Sequence, residues 1–398
     1  MNTETLHHNK NCFYGYRFLS RFYMYLPILA VVLYKFGLSY LEIAGILAVH
    51  GLAMMLAKIP LTKVFENGVS NRRVLMLGEV TKAAGVLGLG LAGGRIEWLL
   101  VAQIIGGIGF ALTSSTESAL LMSAMKAGNA MSEYRAVEAR SQGFGFLSIF
   151  LSGVIGSIVA AKNIPLAIYL TVPFSLLSAL VVLFFHEPEI GPAAASGPPA
   201  KTEIAAAIGR VRSYLLYYAL NRGIVMAVFV LVLPIFLMKA FTINLAYFGA
   251  ILGVFSLTAY FIGTNFEKIS ARLNGAVAWV IPPLALMLAV GCMLIGHLAV
   301  LPIIPILLGI AASMVRPLAM GRVNQLIKAH NSQVMSRGEQ YFGILNALFL
   351  GMFGYCLAYH TLIIALWVLG AAGLIINGPL VWQLIRAERA REQMPASM

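Results

Sequence analysis

The sequence predicts an all-α membrane protein with twelve transmembrane helices, arranged as two pseudo-symmetric six-helix bundles. The first supporting observation is composition, because 60% of the 398 residues are hydrophobic and only 11% are charged. A soluble domain carries about a quarter charged residues. The mean hydropathy of +0.86 agrees with a chain that lies mostly in lipid. The other two observations are the number of long apolar runs and a likeness between the two halves.

Apolar runs long enough to cross a bilayer recur along the chain, since a transmembrane helix needs about 20 mainly apolar residues. The runs lie near 14–36, 40–61, 74–94, 98–124, 136–161, 165–185, 214–238, 243–264, 275–297, 300–326, 339–359 and 361–385. Between the sixth and seventh runs, residues 186–213 are rich in Pro, Gly, Ala and charge, which is typical of a linker. We therefore predict an N-terminal bundle over 1–185, a cytoplasmic linker over 186–213, and a C-terminal bundle with a cytoplasmic tail over 214–398.

Basic residues fall mainly on one side of this predicted topology. Of the Lys and Arg residues in loops, only Lys35, Arg95, Lys162 and Lys239 fall on the side opposite the termini. An excess of Lys and Arg marks cytoplasmic loops. We expect a multi-pass protein of a bacterial inner membrane with both termini in the cytoplasm. Topology thus accounts for most of the net charge of +13, and nucleic-acid binding is not expected.

The two halves of the chain resemble each other in sequence. Residues 36–49, FGLSYLEIAGILAV, align with residues 241–254, FTINLAYFGAILGV, at an offset of 205. Extended backward, the same offset pairs Arg17 with Arg222. Two six-helix repeats in parallel orientation are typical of one transporter architecture.

Three short motifs add a resemblance to a known family. The segment KVFENGVSNRRVL, between the second and third runs, keeps two arginines and a leucine of a family loop motif. SSTESALLM, residues 114–122, is similar to a segment near the end of the fourth helix in exporter-like members. SGVIGS, residues 152–157, is a degenerate form of the antiporter motif of the fifth helix, without its proline. On this basis the chain resembles the major facilitator superfamily (MFS), and specifically its bacterial exporter-like members.

This resemblance implies a functional monomer that transports a small-molecule substrate across the lipid bilayer by alternating access. It implies efflux of a drug or of a metabolite such as a carboxylate siderophore. An importer of organic anions and a lipid or lysolipid translocase on the same fold remain alternatives. No enzyme is expected, because the runs supply no clustered His, Asp and Glu and no nucleophile beside a base. No cofactor or metal is expected either, although proton coupling stays open.

Several arginines lie within the apolar runs and predict an anion site. Arg17, Arg21 and Tyr25 are spaced four residues apart and share one helix face. Arg222, with Asn221 beside it, lies near the middle of the seventh run. Arginine does not shed its proton, so it needs a carboxylate, water or an anionic ligand there. These residues are therefore predicted to bind an anionic or carboxylate-bearing substrate. A structural ion pair is the alternative for Arg222, and for Arg17 the alternative is that its side chain extends to the cytoplasmic headgroups.

The tenth run carries a further arginine of the predicted substrate site. Arg316 is followed directly by Pro317, which loosens a helix and frees backbone carbonyls. We expect Arg316 to line the same cavity as Arg222.

Acidic residues and one histidine are candidates for gating or coupling. Counting about 1.5 Å of rise per residue places Glu117 near the cytoplasmic rim, where it could pair with Arg72 or Arg73 when that side closes. Together with Glu66, these residues form the predicted cytoplasmic gate.

Proton coupling has three candidate residues, His50, Glu79 and Glu117. His50 lies near mid-membrane and is the side chain there whose ordinary pKa lies near neutral pH. Glu79 lies three residues before Lys82, so a local ion pair is the alternative for it.

Overall fold

The structure, a computed structural model, describes residues 1–66, 69–188, 201–273, 275–327 and 331–392, and these residues form helices and no strand. Ten helices are long and apolar enough to cross a membrane, and two shorter apolar segments lie at Leu26–Lys35 and Ile281–Ile295. Together they give twelve crossings, numbered here span 1 to span 12 in chain order. The predicted fold class is confirmed.

Spans 1 to 6 form the N-terminal bundle. Span 1 consists of Thr3–Ser20 and, after an interruption, Leu29–Lys35. Spans 2 to 6 are Tyr40–Glu66, Asn71–Leu91, Ile96–Ala127, Tyr134–Lys162, and the consecutive helices Ile164–Tyr169 and Thr171–Leu183.

Spans 7 to 12 form the C-terminal bundle. Span 7 begins at Lys201 and runs as Lys201–Ala227, the π-helical turn Val228–Val232 and Leu233–Phe241. Span 8 is Phe248–Thr264, followed by the short helix Phe266–Arg272, and spans 9 to 12 are Gly275–Ile295, Ile303–Leu326, Asn331–Tyr359 and Leu362–Glu392. The predicted linker boundary at residue 213 thus falls inside a continuous helix, and residues 189–200 of that linker lie outside the described residues.

Prolines stand beside irregular backbone at similar places in spans 1 and 7. Pro27 is the second residue of the short 3₁₀ turn Leu26–Ile28, and the first helix of span 1 ends earlier, at Ser20. Pro234 follows the π-helical turn of span 7. A proline ring disfavours the α conformation of the residue before it and has no N–H to donate, so the helix tends to end or widen there. The two irregular segments correspond in the internal repeat, because Val228–Val232 aligns with residues 23–27 at the offset of 205.

The two bundles meet mainly through span 2 against span 11 and span 5 against span 8. Glycines allow the close approach of span 5: a side chain at Gly156 would collide with the Met24 carbonyl oxygen, and one at Gly249 with the Gly153 carbonyl oxygen. The degenerate motif SGVIGS is therefore a packing surface against spans 1 and 8.

The gap between the bundles is closed on the side away from the termini. There the apolar residues Ile28 to Leu33 of span 1 are no more than 4% exposed and belong to one core with Leu231 to Leu237 of span 7. Nearer the termini, Arg21 and Arg222 are partly exposed and Arg316 is exposed. The gap therefore opens toward the side that carries both termini, called here the terminal side.

Candidate functional site

The N-terminal bundle contributes a network of two arginines and two glutamates to the gap. Nη1 of Arg17 lies 2.9 Å from Oε1 of Glu117, and its Nη2 lies 2.9 Å from Oε1 of Glu138 on span 5. Arg21, one helical turn further along span 1, donates to the same Glu117 oxygen at 3.1 Å. Arg17 is 1% exposed and Glu117 is 6% exposed. The shared face of span 1 thus places both guanidinium groups against one carboxylate.

The C-terminal bundle contributes a second, smaller network. Nη1 of Arg222 lies 3.0 Å from both carboxylate oxygens of Glu339 on span 11. The Tyr218 hydroxyl donates to Oε1 of Glu339 at 2.5 Å and accepts from Arg222. The guanidinium also stacks 4.3 Å from the centre of the Phe342 ring. All hydrogen bonds of Arg222 to described residues leave from Nη1, so Nε and Nη2 keep donors for a ligand.

The two networks are related by the internal repeat. Arg17 joins span 1 to Glu138 on span 5, and Arg222 joins span 7 to Glu339 on span 11. Each guanidinium lies 5.3 Å from the aromatic ring one turn earlier, Phe13 in the first half and Tyr218 in the second. The repeat that the sequence shows near residues 36–49 therefore extends to the charged groups.

Two cations in the gap have no such partner. Among the described residues, Lys58 on span 2 and Arg316 on span 10 form no ion pair or hydrogen bond. Lys58 lies within electrostatic range of Glu339 in the other bundle. Lys58 is also within range of Glu117 in its own bundle, and Arg316 lies within range of both Glu117 and Glu339. Both cations thus lie near carboxylates of the two bundles and form an ion pair with neither.

A third polar cluster is buried inside the N-terminal bundle. Glu79 is fully buried, and its Oε1 accepts hydrogen bonds from Lys82 at 2.8 Å, Ser20 at 2.8 Å and Tyr16 at 3.0 Å. Lys82 also donates to the hydroxyl of Ser20 at 3.0 Å and to that of Tyr23 at 3.1 Å. Because Ser20 is the last helical residue before the interruption, this cluster fixes the place where span 1 breaks and thereby the position of Arg17 and Arg21.

A family model described as Major Facilitator Superfamily matches residues 17–337. The chain belongs to the Major Facilitator Superfamily. No curated protein sequence matches the chain. Among solved structures, it is similar to a point mutant of the nucleoside transporter NupG, with a TM-score of 0.74 and 12% identity over 93% of this chain and 98% of that one. A second NupG structure gives a TM-score of 0.71 and 12% identity over 99% and 100%.

These likenesses confirm the MFS fold and indicate a transporter rather than an enzyme. At 12% identity the NupG structures bear on the fold alone. The predicted exporter-like subtype is not resolved by either comparison.

The MFS fold brings most of the predicted substrate residues to the gap, but not all. Arg17, Arg21, Arg222 and Arg316 lie there, as described above. Tyr25 lies in the interruption of span 1, its ring centre 6.4 Å from that of Tyr23. Asn221 is buried and donates to the Tyr217 carbonyl at 3.0 Å and to Oδ1 of Asn377 at 2.8 Å, which ties span 7 to span 12. Asn221 thus faces away from the gap.

The residues predicted to form a gate are arranged differently in this MFS protein. Glu117 pairs with Arg17 and Arg21, and it lies about 15 Å from the end of span 4 because the helix continues to Ala127. It is therefore deeper than the rim position that we expected.

The loop arginines contact the end of span 6 and not Glu117. The guanidinium of Arg72 donates to the Phe185 carbonyl at 3.3 Å, and Glu187 accepts from the backbone N–H of Asn71 at 2.8 Å at the start of span 3. Arg73 is exposed, and its backbone N–H donates to Ser70. The side chain of Glu66 lies outside the described residues. Glu117 thus pairs with neither Arg72 nor Arg73 while the gap is open on the terminal side. Their pairing was expected for the closed side, so it stays a prediction.

His50 lies inside the N-terminal bundle, beside Gln103 and with its ring centre 6.1 Å from that of Phe110. Its Nδ1 is buried without a hydrogen-bond partner among the described residues. It is therefore placed among polar groups of spans 2 and 4, and its role in coupling stays a prediction.

Sequence reasoning missed Glu138, Glu339, Lys58 and Tyr218. Glu138 and Glu339 stand close to the start of apolar runs, so they resemble loop charges. Charge balance could have pointed to the two glutamates, because each buried arginine requires an anion nearby. The repeat was a second signal, since both glutamates occupy the early part of corresponding helices.

Proposed function

We propose that this MFS protein is a secondary active transporter that moves a small organic anion, such as a carboxylate-bearing metabolite, by alternating access. The observation that carries this proposal is the pair of unpartnered cations, Lys58 and Arg316. The other interior cations each have a carboxylate partner. Among the described residues around the gap and inside the N-terminal bundle, six cations therefore stand against four carboxylates: Arg17, Arg21, Lys58, Lys82, Arg222 and Arg316 against Glu79, Glu117, Glu138 and Glu339. Arg322 and Glu388, at the terminal-side end of the C-terminal bundle, pair with each other.

An excess of positive charge in a low-dielectric gap concentrates anions and repels cations. Lys58 belongs to the N-terminal bundle and Arg316 to the C-terminal bundle, so an anion between them would contact both. Such a ligand would stabilise the approach of the two bundles, which is what a transported substrate must do. The proposed substrate is thus the anion predicted from sequence, and Lys58 joins Arg316 and Arg222 among its proposed ligands.

Direction and coupling are parts of the same proposal. The distribution of Lys and Arg supports a cytoplasmic terminal side. The gap opens to that side, which is the state in which an exporter loads and an importer releases its substrate. Export is therefore proposed from the resemblance to exporter-like members. His50, Glu79 and Glu117 are the proposed sites of proton coupling. Import of organic anions and movement of a lipid or lysolipid remain the alternatives that an assay must separate.

A nucleoside is a second candidate substrate. The similar NupG structures are those of a nucleoside transporter, and aromatic rings do face the gap: Arg21 lies 5.1 Å from the centre of the Phe110 ring, and Arg222 lies 4.3 Å from that of Phe342. Such rings could stack on a base. An uncharged nucleoside would, however, leave Lys58 and Arg316 without a partner, so the anion is favoured.

The test is transport into proteoliposomes, with the pH gradient and the membrane potential imposed independently. The panel contains organic carboxylates, phosphorylated metabolites, nucleosides, lysolipids and a lipophilic cation. We expect saturable transport of an anion, with Arg316→Gln and Lys58→Gln each raising its KM by about tenfold to a hundredfold, because each removes a hydrogen bond to a charged group.

The matched control is Arg337→Gln, which removes an exposed arginine of span 11 that bonds only Gln340 at 2.9 Å among the described residues. We expect wild-type kinetics for it. Transport of neutral nucleosides or lysolipids that both gap variants leave unchanged would contradict the anion proposal. The sign of the gradient that drives accumulation decides between export and import.

A further inference from the structure

A groove of about 410 Å³ lies within the C-terminal bundle, at the terminal-side ends of spans 7, 10 and 12. It is lined by Arg210 and Ser213 of span 7, Leu326 of span 10, and Gln383 and Leu384 of span 12. Arg210 precedes Arg222 by twelve residues, so the groove lies about 18 Å from the substrate gap along span 7. It is enclosed by one bundle only and is therefore separate from the gap between the bundles.

The polar residues of this groove keep unused hydrogen-bond donors. Among the described residues, Arg210, Ser213 and Gln383 form no hydrogen bond or ion pair. A guanidinium, a hydroxyl and a side-chain amide thus converge on one space from two helices. Such a set matches the oxygens of a phosphate, and arginine in particular binds phosphate through two parallel hydrogen bonds.

The buried carboxylate of span 12, Glu388, is already paired with an arginine other than Arg210. Glu388 is 2% exposed and is bound by the guanidinium of Arg322, which also donates to Gln325 at 2.6 Å. Glu388 therefore does not compensate Arg210.

The remaining features indicate a ligand that is part apolar. Leu326 and Leu384 form apolar walls beside the polar groups. On the neighbouring part of span 12, Trp382 is 53% exposed and Arg386 stacks over its ring at 3.4 Å. Exposed Trp beside Arg is typical of the membrane–water interface, where Trp lies at headgroup level. The groove thus lies where a lipid headgroup would reach it.

We propose that this groove binds the phosphate headgroup of an anionic phospholipid of the cytoplasmic leaflet. Arg210, Ser213 and Gln383 bind the phosphate, and Leu326 and Leu384 contact the start of the acyl chains. Basic pockets between transmembrane helices on the cytoplasmic side are suited to such headgroups. The site is independent of the transported substrate and ties the ends of spans 7, 10 and 12 together.

The test compares phosphatidylglycerol with phosphatidylcholine as the probe. Full-length protein in detergent is titrated with each lipid, and bound lipid is counted by native mass spectrometry while the Tm is followed. We expect one tightly retained phosphatidylglycerol and a higher Tm, with no such effect of phosphatidylcholine. Arg210→Gln should weaken retention about fivefold, and Gln383→Leu should weaken it by a smaller factor.

The matched control is Arg212→Gln. Arg212 is exposed and lies two residues further along the same helix, so it points about 200° away from Arg210 while its replacement removes an equal charge. Equal weakening by both variants would overturn the groove and indicate unspecific attraction to an anionic surface.

Two further arms separate the possible sources of phosphate. Inorganic phosphate and glycerol phosphate are added in place of lipid. If either compound raises the Tm of the wild type and also displaces phosphatidylglycerol from it, but not from Arg210→Gln, the ligand of the groove is a soluble phosphate. That result would overturn the lipid assignment. Absence of any retained lipid in wild type would overturn the site altogether.

Discussion

The ion pair between Arg222 and Glu339 can be tested as a competitor of the substrate. Glu339→Gln removes the negative charge but keeps an oxygen that accepts from Tyr218. In the wild type, Nη1 of Arg222 lies 3.0 Å from both carboxylate oxygens, and the two side chains are 32% and 19% exposed. A hydrogen bond to a charged group contributes about 1.5 to 3 kcal/mol, and partial exposure to water favours the lower value.

If an anionic substrate has to compete with Glu339 for Arg222, removing the negative charge of Glu339 strengthens substrate binding. A gain of about 1.4 kcal/mol corresponds to tenfold tighter binding. We therefore expect Glu339→Gln to lower the Kd of the anion about tenfold and to slow transport, because release is no longer assisted by the returning carboxylate. Arg222→Met should raise the Kd at least tenfold and abolish transport while the protein still inserts. The double variant should behave like Arg222→Met.

Equilibrium binding by scintillation proximity and counterflow in proteoliposomes measure these two quantities separately. Competition between Glu339 and the substrate would be refuted by two results together: Glu339→Gln weakens anion binding as much as Arg222→Met does, and the double variant recovers wild-type transport. That pattern would make the pair purely structural.

Two further predictions concern the N-terminal bundle. Glu117→Gln leaves Arg21 without its carboxylate partner, while Arg17 keeps Glu138. We therefore expect slower transport with substrate binding retained. An unchanged transport rate that no longer depends on pH would instead favour proton carriage by Glu117. Gly156→Ala places a methyl group against the Met24 carbonyl, so we expect it to lower stability by about 1 to 3 kcal/mol, measured as a lower Tm in detergent. Gly321→Ala is its control, because open space surrounds that position; an equal loss of stability in both variants would contradict the packing argument.

The positions of the membrane-crossing helices were predictable from sequence because they follow from local composition. A bilayer requires each crossing to satisfy its own backbone hydrogen bonds, so length and hydropathy of a run are enough to locate a helix. Length and hydropathy did not locate the ends of the helices. Span 7 extends back to Lys201 through residues that are polar enough to suggest a linker, because nothing in composition distinguishes a helix that leaves the membrane from a loop.

The partners of the charged residues were not predictable in the same way. Arg222 had no neutralising neighbour within its own helix, and its partner Glu339 lies 117 residues later on another span. Pairing of this kind depends on how the helices rotate and pack, which sequence spacing does not define. The pair of Glu79 and Lys82 was predictable, because residues three apart share a helix face. Its additional bonds to span 1 were not.

The distribution of ion pairs agrees with a rocking motion of two bundles. Among the described residues, the interior ion pairs join helices of the same bundle: Arg17 with Glu117 and Glu138 in the first half, and Arg222 with Glu339 in the second. Separating a buried pair costs about 3 to 5 kcal/mol, so charges bound within one bundle do not resist a movement between bundles.

Among the described residues, Lys58 and Arg316 are the gap cations outside these pairs, and each lies within electrostatic range of Glu117 and of Glu339. When the terminal side closes, each can approach the carboxylate opposite to it, and a bound anion would offset the repulsion between the two cations themselves. Closure with substrate and closure without it would therefore place the same residues in different pairs. A transport cycle uses both kinds of closure, because the protein changes sides once with substrate bound and returns without it.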